Sequence, residues 1–209
     1  MRPRVITKIL IVDDHPLVRV GMATVVNQQP DMTVVGMAED SRTALDLLRL
    51  HQPDVVLMDL RLRGESGAEI TAAIHQASPS AQVLVISNYE GDEDIRQALS
   101  SGAMGYLFKS IVEDELVDAI REVRAGRRYL PTSVAVHLQE HESDELLTSR
   151  EDELLELLGK GLRNREMAEV LGVSDETIKT HLKSVFRKLG VSDRAAAVRA
   201  GIQRGFIRG

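Results

Sequence analysis

Short apolar runs recur at even spacing through the first half of the chain, four of the five closed by a polar residue. They are KILIV at 8–12, TVVGM at 33–37, VVLM at 55–58, QVLVIS at 82–87 and GYLF at 105–108. Runs this short, rich in β-branched and large aliphatic residues, fit strands buried on both faces of a parallel sheet. Between them the apolar positions fall at helical spacing. That predicts helices from about Pro16, from about Ser41, near Ala68, near Asp92 and from about Val112. Pro16 suits a first helical turn, Ser41 an N-cap and Gly126 a C-terminal stop. Five strands alternating with helices predict a doubly wound parallel sheet with right-handed crossovers.

The period changes after Gly126. Residues 127–147 carry Pro131 and the acidic EHESDE, and read as a linker with room for one short helix. From Thr148 onward the pattern is helical throughout. Thr148 and Glu151 have capping-box spacing. Asn164 is expected to cap a second helix ending at Gly172, Ser174 a third running to about Leu189, and Ser192 a fourth ending near Gly205. In the third, Ile178, Leu182, Val185 and Leu189 form one apolar stripe, while Lys179 and Lys183, four residues apart, project from another side. A short helix, the tight Gly172-Val173 turn and this longer helix together have the form of a helix-turn-helix. The expected division is therefore residues 1–126, a linker 127–147, and a four-helix segment 148–209.

Chemistry gathers where the strands end. Asp13 and Asp14 follow the first run, Asp59 the third, and Lys109 the fifth. Ligands of open α/β sheets bind at the carboxyl ends of the strands. Parallel neighbours would bring three carboxylates and one ammonium to a single edge. Carboxylates so placed repel unless a cation lies among them, and hard oxygen ligands suit Mg²⁺. One carboxylate could then attack a phosphoryl donor while the metal and Lys109 hold the charge of the transferred group.

Charge refines the picture. The 209 residues carry a net −6, which alone argues against a nucleic-acid partner. Yet residues 148–209 carry 12 Lys/Arg against 9 Asp/Glu, the only net-basic stretch. Aromatics are 3% of the chain, so the cores are aliphatic. Without cysteine there are no disulfides or thiolate metal sites. No apolar run approaches transmembrane length, and Asp13 ends the first too soon for a signal peptide, so a cytoplasmic protein is expected.

The set Asp13-Asp14, Asp59, Ser87 and Lys109, with Tyr106 in GYLFK, resembles the receiver domain of two-component response regulators. The stretch LTSREDELLELLGKGLRNREMAEVLGVSDETIKTHLKSVFRKLGV resembles the LuxR-type helix-turn-helix. Together they resemble the NarL/FixJ family of DNA-binding response regulators. The resemblance implies a flavodoxin-like α/β receiver fold followed by an all-α four-helix domain. It implies phosphorylation of Asp59 by a histidine kinase, with Mg²⁺ held by Asp14 directly, Asp13 partly through water, one oxygen of Asp59 and the backbone carbonyl of Arg61. Ser87 would hydrogen-bond a phosphoryl oxygen, Tyr106 would change rotamer as Ser87 moves, and Lys109 would pair with Asp59 or the phosphoryl group. It further implies a homodimer on promoter DNA acting on RNA polymerase. Lys179, Thr180 and Lys183 would reach bases or phosphates, and Arg163, Asn164 and Arg187 would contact the phosphate backbone. The last helix would dimerise on DNA.

One departure is Arg63 in the loop after Asp59, where the family usually has proline; Gly64 is kept. Two other readings stay open. An enzyme with an aspartyl-phosphate intermediate, such as a phosphatase, wants a second Asp two residues after the nucleophile, and Arg61 occupies that position. A regulator that works without phosphorylation draws its support from the missing proline alone. The chain is not expected to be a classical enzyme, although it could dephosphorylate itself. The resemblance implies that the residues two beyond the acceptor and two beyond Ser87 gate attacking water, and the large Arg61 and Tyr89 at those positions are expected to slow that hydrolysis.

Overall fold

The structure, a computed structural model, describes residues 6–62, 65–88, 91–110, 113–140 and 147–207. Arg63, Gly64, Tyr89 and Val112 lie outside them. Two compact units make up the chain, one built on a sheet and the other on the C-terminal helices.

Five parallel strands form the first unit's sheet: β1 (Thr7–Val12), β2 (Met32–Ala38), β3 (Val55–Asp59), β6 (Gln82–Ser87) and β7 (Gly105–Phe108), in the order β2-β1-β3-β6-β7. A two-residue antiparallel hairpin, β4 (Arg61–Leu62) with β5 (Glu65–Ser66), follows β3 and was not anticipated from the pattern. The helices are α1 (Pro16–Asn27), α2 (Ser41–His51), α3 (Gly67–Ala77), α4 (Asp92–Ser100) and α5 (Glu113–Arg124). Apolar residues occupy both faces of the central strands because helices cover both. Ile9, Ile11, Leu57, Leu84 and Ile86 pack with Met22 and Val26 of α1 and Ile120 and Val123 of α5. The alternate residues Leu10, Val12, Val56 and Val85 are equally buried on the other face.

Pro16 opens α1 as expected. The cap of α2 is Asp40, not Ser41: the Asp40 carboxylate accepts from Thr43 N at 2.7 Å, and Ser41 is the first helical residue. Both types cap well, and the residue with extended backbone takes the role. Gly126 has φ +75°, which suits the stop after α5. Beyond it, Tyr129 pairs with Gly105 in an isolated parallel bridge, with Tyr129 N donating to Met104 O and Tyr106 N to Tyr129 O. A Cβ on Gly105 would lie 2.8 Å from Tyr129 O, so glycine is what admits this rung. The segment expected to be a linker thus begins bonded to β7, and then forms α6 (Thr132–Glu140).

The second unit contains α7 (Ser149–Gly159), α8 (Asn164–Leu171), α9 (Asp175–Lys188) and α10 (Arg194–Gln203) around Leu154, Leu155, Leu158, Met167, Ile178, Leu182, Val185 and Phe206. The Thr148–Glu151 capping box is present. Gly172 is left-handed (φ +66°) and turns α8 toward α9, which Ser174 caps. Two expected caps move by one residue. Asn164 is the first residue of α8, with Arg163 at the cap and Glu166 accepting from its backbone N–H. Asp193, not Ser192, caps α10 by accepting from Ala196 N at 2.8 Å.

A carboxylate and lysine cluster and a basic helix face

The β3–β6 register pairs Asp59 with Ile86, and the β6–β7 register pairs Ser87 with Phe108. This staggers Asp59, Ser87 and Lys109 along one sheet edge, with Asp13 and Asp14 one and two residues beyond β1. Asp13, Asp59 and Ser87 are buried; Asp14 is half-buried. Lys109 Nζ lies 2.7 Å from Asp13 Oδ2 and 2.7 Å from Asp59 Oδ2, so one ammonium bridges both buried carboxylates. Lys109 N also donates to Ser87 O at 2.7 Å, tying β7 to the end of β6. The amide of Arg61 faces Asp59 Oδ1 at 3.5 Å.

Burial pushes the Asp59 carboxyl above the ordinary carboxylate range, against the opposing pull of Lys109. Burial would lower Lys109, but its hydrogen bonds to Asp13 and Asp59 outweigh that and carry it upward. Burial therefore decides the direction for Asp59, and the two carboxylate partners decide it for Lys109.

Gly67 explains part of this placement. A Cβ there would lie 2.5 Å from Asp59 O and 2.6 Å from Leu60 O, and Gly67 N donates to Leu60 O at 2.8 Å. The start of α3 therefore rests directly on the backbone that carries Asp59.

Sequence reasoning overlooked His15. Its Nδ1 is 2.7 Å from Asp14 Oδ1 and 3.2 Å from Asp13 Oδ1. Ligand atoms of Asp13, Asp14, His15 and Asp59 lie within 4.8 Å of one another. A donor set dominated by carboxylate oxygens fits a hard divalent cation such as Mg²⁺. The signal was the adjacency Asp-Asp-His before a helix-opening proline. Tyr106 is fully buried beside Phe108, ring centroids 5.9 Å apart in an edge arrangement.

In the second unit, α9 buries Ile178, Leu182 and Val185 and exposes Lys179, Thr180, Lys183 and Arg187. Lys179, Lys183 and Arg187, four residues apart, line a shallow groove of about 490 Å³ together with Asn164 at the start of α8. Lys179 is also held by its own helix, 3.0 Å from Asp175 Oδ2 and 3.2 Å from Glu176 Oε2. The Thr180 hydroxyl donates to Glu176 O at 3.0 Å. Arg163 is exposed at the cap of α8, outside the groove lining, and His181 is half-buried.

A strand-end acid cluster closed by a lysine, followed in the same chain by a helix-turn-helix with a basic outer face, defines a receiver joined to a DNA-binding domain. Residues 9–121 match the response regulator receiver domain, and residues 145–200 match the luxR family of bacterial regulatory proteins. The chain belongs to the two-component response regulators with a LuxR-type DNA-binding domain. It is 35% identical over 212 residues to the transcriptional regulatory protein YxjL of Bacillus subtilis, covering 96% of this chain and 97% of that one. It is 33% identical to DegU of Brevibacillus brevis, covering 96% and 95%. Among solved structures it is similar to RcsB of Salmonella enterica serovar Typhimurium bound to promoter DNA with the phosphomimetic BeF3⁻, at 27% identity and a TM-score of 0.73, covering 94% of this chain and 98% of that one. No helix among the described residues is long and apolar enough to cross a membrane.

Proposed function

We propose that this chain is phosphorylated on Asp59 by a histidine kinase, and that the modification controls its binding to promoter DNA as a homodimer. The observation that carries the reading is the Lys109 ammonium 2.7 Å from both Asp13 and Asp59 at the carboxyl ends of adjacent parallel strands. Lys109 holds Asp59 Oδ2, which leaves Oδ1 as the attacking oxygen. Oδ1 forms the new bond to phosphorus as the bond from phosphorus to the donor imidazole nitrogen breaks, and the nitrogen keeps the electron pair. Asp13, Asp14, Asp59 and the Arg61 carbonyl would hold Mg²⁺, which supplies charge neutralisation to the transferring oxygens. Lys109 then passes to the phosphoryl group, Ser87 donates to one of its oxygens, and Tyr106 follows.

The receiver spans residues 1–126 and the DNA-binding domain 148–209, joined by residues 127–147. Helix α9 enters the major groove. Lys179, Thr180 and Lys183 meet base edges or phosphates, while Arg163, Asn164 and Arg187 hold the backbone. RcsB has been solved as dimers bound to DNA, which supports a two-fold arrangement on promoter DNA, with RNA polymerase as the downstream partner. The chain acts in the cytoplasm, and its receiver turns over no substrate beyond its own phosphoryl group.

Intact-mass measurement after incubation with acetyl phosphate and Mg²⁺ tests the assignment. Wild type gains one acid-labile phosphoryl group and Asp59→Asn gains none, because an amide is not a nucleophile here. Equal incorporation in both would overturn it.

A further inference from the structure

Two adjacent side chains on an extended strand point to opposite faces. For Asp13 and Asp14 to serve one cation, the chain must turn between them, and Asp14 does lie at a bend. Something must hold that peptide. Asp13 N donates to Ala38 O at 3.1 Å from one side. From the other side the Asp13 carbonyl accepts from Arg19 Nη1. The Asp13 carboxylate is fixed in turn by His15 N, which donates to its Oδ1 at 2.7 Å.

Arg19 reaches this carbonyl from the first turn of α1, folding back toward the helix start as long helical side chains do. It is largely buried, with 15% of its side chain exposed. Its other terminal nitrogen, Nη2, lies 3.7 Å from Glu39 Oε2, just past the end of β2. The planar fork thus spans the two chain segments leaving β1 and β2 at the site's edge. A lysine has one compact ammonium and cannot bridge two acceptors set apart in this way.

We propose that Arg19 is a positioning residue. By gripping the Asp13 carbonyl it sets the turn that turns both Asp13 and Asp14 toward one cation, and so sets the affinity of the site for Mg²⁺. Arg19 touches neither cation nor phosphoryl group. The inference rests on the reading of Asp13, Asp14 and Asp59 as the Mg²⁺ and phosphoryl site. It also has a sign that separates it from a plain charge effect. Removing a nearby positive charge should tighten the binding of a cation, whereas losing the grip on the turn should weaken it.

Isothermal titration of Mg²⁺ into the full chain distinguishes the two. With Arg19→Gln, the Mg²⁺ Kd should rise roughly tenfold or more, the range typical when a partner of a metal ligand is lost. Phosphorylation by acetyl phosphate should slow at limiting Mg²⁺ and recover at saturating Mg²⁺. Arg19→Lys should restore only part of the affinity. Arg19→Lys keeps the positive charge and loses only the planar fork, so any Mg²⁺ affinity it lacks reports the grip on the turn and not the charge. It also stands in if Arg19→Gln fails to fold. An Mg²⁺ affinity that is unchanged or tighter in Arg19→Gln, or unchanged in Arg19→Lys where only that variant folds, overturns the proposal. Asp13→Asn is the control. If wild type binds no Mg²⁺, or Asp13→Asn binds it as wild type does, the underlying site reading fails and this inference goes with it.

Discussion

Glu151 is the residue on which the stability of the DNA-binding unit should depend most steeply. Its buried carboxylate accepts from Thr148 N at 2.8 Å and from the Thr148 hydroxyl at 3.0 Å, and it pairs with Lys188 Nζ at 2.8 Å. Lys188 is itself only 11% exposed, so each charge relies on the other. Burial alone would raise the Glu151 carboxyl, but hydrogen bonds from Lys188, Ser184 and Thr148 win and bring it from 4.5 to about 2. A depressed carboxyl stabilises the fold above its ordinary value, and that stability drains away as pH falls from about 4.5 toward about 2. At about 1.4 kcal/mol per pH unit, this linkage is on the order of 3 kcal/mol. Glu151→Gln should lose about 3–5 kcal/mol at neutral pH, because it takes the carboxylate partner from a largely buried Lys188 ammonium. Adding Lys188→Met should return much of that loss. All three tyrosines, Tyr89, Tyr106 and Tyr129, precede residue 148, so their fluorescence follows the first unit alone. Urea unfolding watched by far-UV circular dichroism and by tyrosine fluorescence therefore separates the two units. A Glu151→Gln loss below about 1 kcal/mol, or an acid dependence of the helical unit that survives the substitution, would refute the argument.

Asp59→Asn should be at least as stable as wild type at neutral pH. A raised carboxyl burdens the fold above its folded pKa, and the burden lifts as pH falls through that value; a lower urea midpoint for the mutant would contradict this. Gly67→Ala should cost about 1–3 kcal/mol and slow phosphorylation, since its Cβ would press on the Asp59 backbone; thermal melts and intact mass check both halves. Replacing Lys183 with Ala should leave the fold intact and weaken DNA binding. The loss is about 1–3 kcal/mol with relaxed specificity if it meets a guanine edge, or a salt slope reduced by about one if it meets phosphate. Unchanged salt-dependent titrations for both Lys179→Ala and Lys183→Ala would remove α9 from the interface. Sedimentation with and without BeF3⁻ should show the phosphate mimic driving the chain to a dimer; a constant mass would count against dimer control.

The apolar runs and their closing acids made the sheet and the acid cluster legible, because strand burial and strand-end chemistry are local properties. Helix caps were legible to within one residue, since Ser41 and Asp40, or Ser192 and Asp193, are neighbours of similar capping strength and backbone geometry decides between them. His15 was legible in the Asp-Asp-His adjacency and was overlooked, whereas Arg19 was not legible as a site residue. Nothing in its spacing shows that α1 sends a guanidinium back to the cluster. The Glu151–Lys188 pair joins residues 37 apart on two helices, a distance over which no local pattern operates. Glu151 announced itself only as half of a capping box. The rung at Tyr129 was hidden for the same reason, behind a stretch whose composition reads as linker.

That rung has a consequence for how the protein meets its neighbours. An outer strand with unclaimed amides and carbonyls is a template on which another chain can polymerise. Among the outward groups of the β7 edge, Tyr106 N and Met104 O are taken by Tyr129 of the same chain. That leaves less of the β7 edge open to edge-to-edge sheet growth between copies. A substitution that frees Tyr129, such as Tyr129→Pro, would remove one of these bonds and expose the protein to insoluble association, a hazard quite separate from signalling.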